Sequence, residues 1–175
     1  MKLTVLIPAY NALRFLETLV PYFNGEFLRL TGDSKDVEVL IADNASTDET
    51  EAWLQKQTLA PSIRYVRYAS HLATVEESVL RAAKDAKGEF TWVLGSDDNP
   101  RPNAVPFILS AIAENPDFIQ FDCALIFQDN QQSTSSMLRA PQTRVETDVV
   151  TLVQKVGIWF AFSGISNQVT RTSIL

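Results

Sequence analysis

At 175 residues, with 46% hydrophobic and 10% aromatic content, the chain has enough material for one globular domain with a substantial core. Its 15 Lys and Arg against 21 Asp and Glu leave a net charge of −6, a surface that repels a phosphate backbone, so a nucleic-acid partner is not expected. The single cysteine, Cys123, excludes an internal disulfide. The N-terminal apolar run before Pro8 is only about six residues long, too short for a signal-peptide core, and nothing approaches the ~20 apolar residues of a spanning helix, so the chain reads as cytoplasmic.

Along the chain, KLTVLIP has the length and composition of a strand, and the stretch from Ala12 to Leu30 places Leu13, Leu16, Val20, Phe23 and Phe27 at helical spacing, with Pro21 set to kink or divide the helix. VEVLIADN is a second strand. The STDE that follows has the form of a capping box, in which Ser46 caps the amide of Glu49 and Glu49 reaches back. SIRYVRYA predicts a strand, TVEESVLRAAKDAKG a helix stopped at Gly88, and EFTWVLG a fourth strand. NAVPFILSAIAEN and DFIQFDCALIF supply a further helix and strand, the latter enclosing Cys123 as a buried, inert thiol. Strands alternating with helices predict βαβ crossovers and a mostly parallel sheet covered on both faces. The polar stretch from Gln128 to Arg144 breaks this rhythm and is expected to form a long mobile loop.

Three polar clusters fall at the carboxyl ends of these strands: Pro8 to Asn11 (PAYN), Ala42 to Asp48 (ADNASTD) and Gly95 to Pro100 (GSDDNP). One such cluster is ordinary turn and cap chemistry. Three at one edge of a parallel sheet mark the crevice in which such sheets bind ligands. Neither G-x-x-x-x-G-K-[ST] nor G-x-G-x-x-G occurs, which argues against a P-loop or a dinucleotide fold. Asp97 and Asp98 are adjacent and repel each other unless a cation stands between them. Mg²⁺ or Mn²⁺ takes one or two carboxylates together with phosphate oxygens, so the pair suits a metal-bridged diphosphate.

VLIPAYNALRFLETLV, VEVLIADNASTDET and KGEFTWVLGSDDNPRPNAV, in this order and spacing, resemble the donor half of family 2 glycosyltransferases of the GT-A fold. DNAST and SDDN are similar to the wording of bacterial sugar transferases of the O-antigen and abequosyltransferase type. The likeness spans roughly residues 2 to 127. It implies a three-layer α/β/α sandwich, a nucleotide-diphosphate sugar donor and a divalent metal, Mg²⁺ or Mn²⁺. It also implies inverting transfer to the hydroxyl of a saccharide or lipid-linked saccharide, in cell-surface polysaccharide or glycolipid synthesis, with peripheral contact at the inner face of the membrane.

Carried over by position, the resemblance puts Pro8, Tyr10 and Asn11 around the nucleotide base, with Tyr10 nearest to it. Asp43 accepts a hydrogen bond from the base, which suits the ring imide of a uracil-like base. Asp97 lies beside the ribose and the metal, and Asp98 is the principal metal ligand. This chain departs from the pattern at Gly95, where relatives often carry a further acid. It departs again in SHLATVEESVLRAA, which lacks an Asn-x-Gly and a later Arg-Asn. Arg81 is the nearest basic candidate there, for donor contact or as a solvated helix charge, and His71 reads as a loop residue with no metal role.

The general base of the family comes from the region after the donor half. Glu146 and Asp148 are the last acids in the chain and therefore the candidates, although both also suit the first turn of a helix over VVTLVQKV. VGIWFAFSGIS reads as a core strand, or as an apolar wall for a lipid-linked acceptor. SGISNQVTRTSIL resembles a strand midway through the acceptor region. Residues 128–175 are thus expected to begin an acceptor region that is cut short, leaving a chain that binds donor and transfers little sugar by itself. The alternatives are a non-catalytic nucleotide-sugar-binding module and a sugar nucleotidyltransferase. The latter calls for a glycine- and basic-rich loop that PAYNALRF lacks.

Overall fold

β1 (Leu3–Ala9) and β2 (Val37–Asp43) are buried almost without interruption, with only Pro8 partly open. Continuous burial requires a covered sheet, and the side-chain period of two divides these strands between two layers. Leu3, Val5, Ile7, Val37, Val39 and Ile41 pack with Leu16, Leu19 and Phe23 of α1 (Leu13–Arg29) and with Val105, Ile108 and Ile112 of α4 (Ala104–Ile112). Leu6, Leu40 and Ala42 point the other way, onto Val79, Ala82 and Ala83 of α3 (Val75–Ala83). The short α2 (Thr50–Leu54) adds Leu54 to the first layer. The computed structural model describes residues 1–30, 33–121 and 168–175. Cys123, the polar stretch 128–144, Glu146, Asp148 and the aromatic run 156–166 lie outside the described residues.

The sheet has six strands in the order β3-β2-β1-β4-β6-β5, with β3 spanning Ile63–Arg67, β4 Phe90–Val93, β5 Phe118–Gln120 and β6 Gln168–Arg171. β1 runs parallel to β2 and β4, and β2 parallel to β3, while β6 is antiparallel to both β4 and β5. The expected mixed α/β sheet, mostly parallel, is therefore present. The chain winds outward from β1 through β2 to β3, then returns to place β4 on the other side of β1. This reversal is the switch point at which parallel sheets open a crevice between diverging loops.

The terminal strand anticipated in 163–175 is β6, between β4 and β5. Arg171 pins it: Nε lies 2.9 Å from Asp117 Oδ1 and Nη1 2.8 Å from Glu89 Oε1, and its guanidinium sits over the Phe90 ring. Among the described residues, no helix is long and apolar enough to cross a membrane.

Three local expectations are corrected. α1 runs through Pro21 as one helix, because packing of Leu19, Val20 and Phe23 on the sheet holds its two halves in register. α3 ends at Ala83 with Lys84 as its C-cap, so Gly88 is not its stop signal. A Cβ at Gly88 would fall within 3.0 Å of the backbone of Leu3, Thr4 and Phe90, and its amide donates to Thr4 Oγ1 at 2.8 Å. Close approach of two chain segments explains that glycine. The capping box also fails: α2 starts from Glu49 with no side-chain cap, and Asp48 Oδ1 accepts from the Thr50 amide at 3.0 Å.

Candidate functional site

Ser46 is unavailable to α2 because it is held from two other directions. Its backbone N–H and its hydroxyl donate to Asp43 Oδ1 at 2.8 and 2.6 Å, and Ser46 Oγ accepts from the Asn11 amide at 2.9 Å. Asn11 returns the link: its Oδ1 accepts from the amides of Thr47 (2.8 Å) and Asp48 (3.2 Å). A left-handed backbone at Asn11, φ 50°, aims the side chain at that turn, a conformation asparagine tolerates better than most residues. The loops after β1 and β2 are thereby joined into one unit, with the polar atoms of each satisfied by the other.

Asp43 anchors this unit from beneath. It is wholly buried. Beyond Ser46, its Oδ2 accepts from the Tyr65 hydroxyl at 2.7 Å and lies 3.7 Å from Arg67 Nε, which also pairs with Glu51 at 3.0 Å. Burial, and then the hydrogen bond to Asp43, push the Tyr65 phenol well above its usual value. The sequence assigns Asp43 to the base of a bound nucleotide. In the folded chain its oxygens face Ser46, Tyr65 and Arg67, so the carboxylate organises the loop from within.

The next residue braces the opposite side. Asn44 Nδ2 donates to the Leu72 carbonyl at 2.8 Å and Asn44 Oδ1 accepts from the Leu72 amide at 2.9 Å, a two-bond clasp on the loop after β3. Arg81 reinforces it, donating to Asn44 Oδ1 at 2.6 Å and to the Ser70 carbonyl at 2.8 Å, with its guanidinium 3.9 Å from the Tyr68 ring centroid. Arg81 therefore positions the loop. The clasped loop carries His71, whose ring centroid lies 4.2 Å from that of Tyr10 at a tilt of 38°. Tyr10 is 45% exposed. His71 is the residue that sequence reasoning missed: no motif marks it, and only the closure of two loops about sixty residues apart in sequence brings it against Tyr10.

Asp97 and Asp98 sit on the turn after β4, both exposed, the Asp98 amide closing the turn on the Gly95 carbonyl at 3.1 Å. Parallel pairing places this turn at the same sheet edge as Tyr10 and Asn11, and the Tyr22 hydroxyl ties α1 to the Arg101 carbonyl just beyond it at 2.8 Å. Among the described residues, no group of three or more His, Cys, Asp and Glu forms a cation cage. Two exposed carboxylates on one turn, with the remaining positions open to phosphate and water, are the donor set that Mg²⁺ and Mn²⁺ accept.

Comparison with known proteins gives a consistent answer. The model of the family described as glycosyl transferase family 2 matches residues 4–172. The chain is 32% identical over 100 residues to abequosyltransferase RfbV of Salmonella typhimurium, covering 56% of this chain and 28% of that protein. It is 27% identical over 119 residues to dolichol-phosphate mannosyltransferase of Pyrococcus furiosus, covering 67% of this chain and 32% of that one. The chain thus spans about a third of the length of these curated relatives. Among solved structures, S. aureus TarS 1–349 superposes with a TM-score of 0.75 at 20% identity, covering all of this chain and 48% of TarS 1–349. A complex of the same protein with UDP-GlcNAc gives 0.72. The mannosyltransferase PcManGT of Pyrobaculum calidifontis, solved with GDP-Man and Mn²⁺, gives 0.50 over 64% of this chain and 32% of its own, at 22% identity. At such identities these superpositions establish the GT-A-like fold.

Proposed function

The chain belongs to glycosyl transferase family 2, and from that premise we propose that it is the nucleotide-sugar-binding part of a metal-dependent inverting glycosyltransferase. The observation that carries the reading is the meeting of three strand-end clusters at one switch point, an aromatic surface at Tyr10 on one side and an acidic turn at Asp97 and Asp98 on the other. Tyr10 and Pro8 bound the base. Asn11, Ser46 and Asp43 fix the two loops that hold it. Asp97 and Asp98 would hold Mg²⁺ or Mn²⁺, which when bound neutralises the charge that builds on the leaving nucleoside diphosphate.

With donor positioned this way, an acceptor hydroxyl entering from the side opposite the diphosphate displaces it in one step, with inversion. A base must lie within about 2.6–3.2 Å of that hydroxyl, and Glu146 and Asp148 are the proposed candidates. Similarity to an abequosyltransferase and a dolichol-phosphate mannosyltransferase supports a saccharide or lipid-linked acceptor, in cell-surface polysaccharide or glycolipid synthesis at the cytoplasmic membrane face.

Thermal unfolding with UDP, GDP and their sugar derivatives, each with Mn²⁺ or with chelator, tests this reading. A rise in Tm that requires the metal is the expected result. Equal shifts with and without metal would remove Asp97 and Asp98 from the binding chemistry. Metal-dependent binding without transfer to any acceptor would favour a binding module.

A further inference from the structure

If Asp43 does not read the nucleotide base, another side chain must. Its hydrogen-bonding oxygens are engaged from within the protein, and no part of it reaches the surface. A ring N–H on a base needs an acceptor at the edge of the pocket, and a lone pair beside Tyr10 is the geometry to look for.

His71 supplies one. Its Nδ1 lies 3.2 Å from the Asn44 carbonyl oxygen, and a carbonyl can only accept, so Nδ1 carries the proton. The neutral ring then presents Nε2 as a bare lone pair. The ring is exposed, but its pose is built: the Asn44 clasp on Leu72 and the Arg81 bond to Ser70 hold the residues on either side of it. A base resting against Tyr10 in the same layer as the imidazole meets it edge to edge.

We propose that His71 reads the nucleobase, its Nε2 accepting the ring N–H of a lactam base. Uracil, thymine and guanine carry such an N–H. Cytosine and adenine carry a ring-nitrogen lone pair at the corresponding edge, which Nε2 repels. The selection follows from the tautomer, and the tautomer follows from the Asn44 carbonyl. The inference rests on reading this edge as a nucleotide-sugar site.

Titration calorimetry with Mn²⁺ on size-matched pairs, UDP against CDP and GDP against ADP, tests it in the wild-type chain and in two variants. His71→Asn keeps a donor for the Asn44 carbonyl and lacks the distal acceptor. His71→Gln places an amide oxygen near the Nε2 position. Wild type should favour the lactam member of a pair by about tenfold or more, because a mismatched polar edge costs a hydrogen bond and leaves groups unpaired. His71→Asn should bring that ratio to within about threefold, and His71→Gln should recover lactam affinity. A preference unchanged in His71→Asn, or a wild type that binds both members alike, overturns the role of His71 and leaves the site reading intact. No metal-dependent binding of any diphosphate by the wild type would overturn both.

Discussion

The two sides of the crevice are built on opposite principles. On the β1–β2 side the polar side chains are turned inward and saturated: Asp43 is buried beneath Ser46, and Asn11 spans the gap between the loops. On the β4 side Asp97 and Asp98 stand exposed on a turn. A closed network holds a shape before any ligand arrives, so a base can bind without the protein reordering. An open pair of like charges does the reverse, storing a repulsion that a cation relieves. The same residue type, aspartate at the end of a parallel strand, therefore serves as scaffold in one place and as ligand in the other. Burial decides which.

The sharpest way to break this division is to remove the scaffold aspartate. Asp43→Ala deletes the acceptor for two Ser46 donors and the Tyr65 hydroxyl, and leaves Arg67 with Glu51 alone. Losing one partner of a buried, bonded charge costs about 3–5 kcal/mol, and urea unfolding should register a loss of that order. An Asp43→Ala chain as stable as wild type would mean that the inward network does not hold the loops.

The β4 side should answer in the opposite sense. A nucleoside diphosphate at about 100 times its Kd adds roughly 2.7 kcal/mol to stability, and with Mn²⁺ present that gain should appear in wild type. Asp98→Asn should abolish the gain while leaving the unliganded chain unchanged or slightly more stable, since one member of a repelling pair is gone. A destabilised Asp98→Asn chain that still binds with metal would mark the turn as scaffold as well.

Asn11→Ala sharpens the comparison at its seam. Both amides accepted by Asn11 Oδ1 lose their partner, and alanine is strained at φ 50°. The expected loss is about 1–2 kcal/mol by chemical denaturation, with diphosphate affinity weakened equally at all metal concentrations. A change in metal dependence instead would tie Asn11 to the β4 turn.

What the sequence made legible is the outer frame of this site. Continuous apolar runs such as LTVLIPA are unambiguous as covered strands, and the rule that parallel sheets bind at their carboxyl ends brought PAYN, ADNASTD and GSDDNP to one edge before any coordinates. Hidden from it was the direction in which each polar side chain turns. Ser46 fits a local cap pattern three residues long, yet its hydroxyl is claimed by an amide 35 positions away. His71 lies in a segment without pattern, and its place against Tyr10 depends on Asn44 reaching across 28 positions to Leu72. Local spacing reports helical and strand periods well. Bonds that close between loops leave no period to read.

The smallest expected effect concerns the tyrosine beneath the scaffold. Burial, and then the bond to Asp43, raise the Tyr65 phenol above its ordinary value, and burial followed by Asp85 does the same for Tyr68. Below about pH 10 both phenols are protonated in the folded and the unfolded chain, and the stabilisation they bring is fully present. Above it the unfolded chain gives up its protons first, so stability falls as pH climbs toward the folded-state values. Both rings are partly open to solvent, which limits the change to about 1 kcal/mol or less per tyrosine by pH 11. Tyr65→Phe cannot titrate. Its deficit against wild type in urea melts should therefore be largest near pH 8 and shrink toward pH 11. A deficit that stays constant over that range would mean the Tyr65 hydroxyl contributes nothing through its proton, and the network under Asp43 would then rest on Ser46 and Arg67 alone.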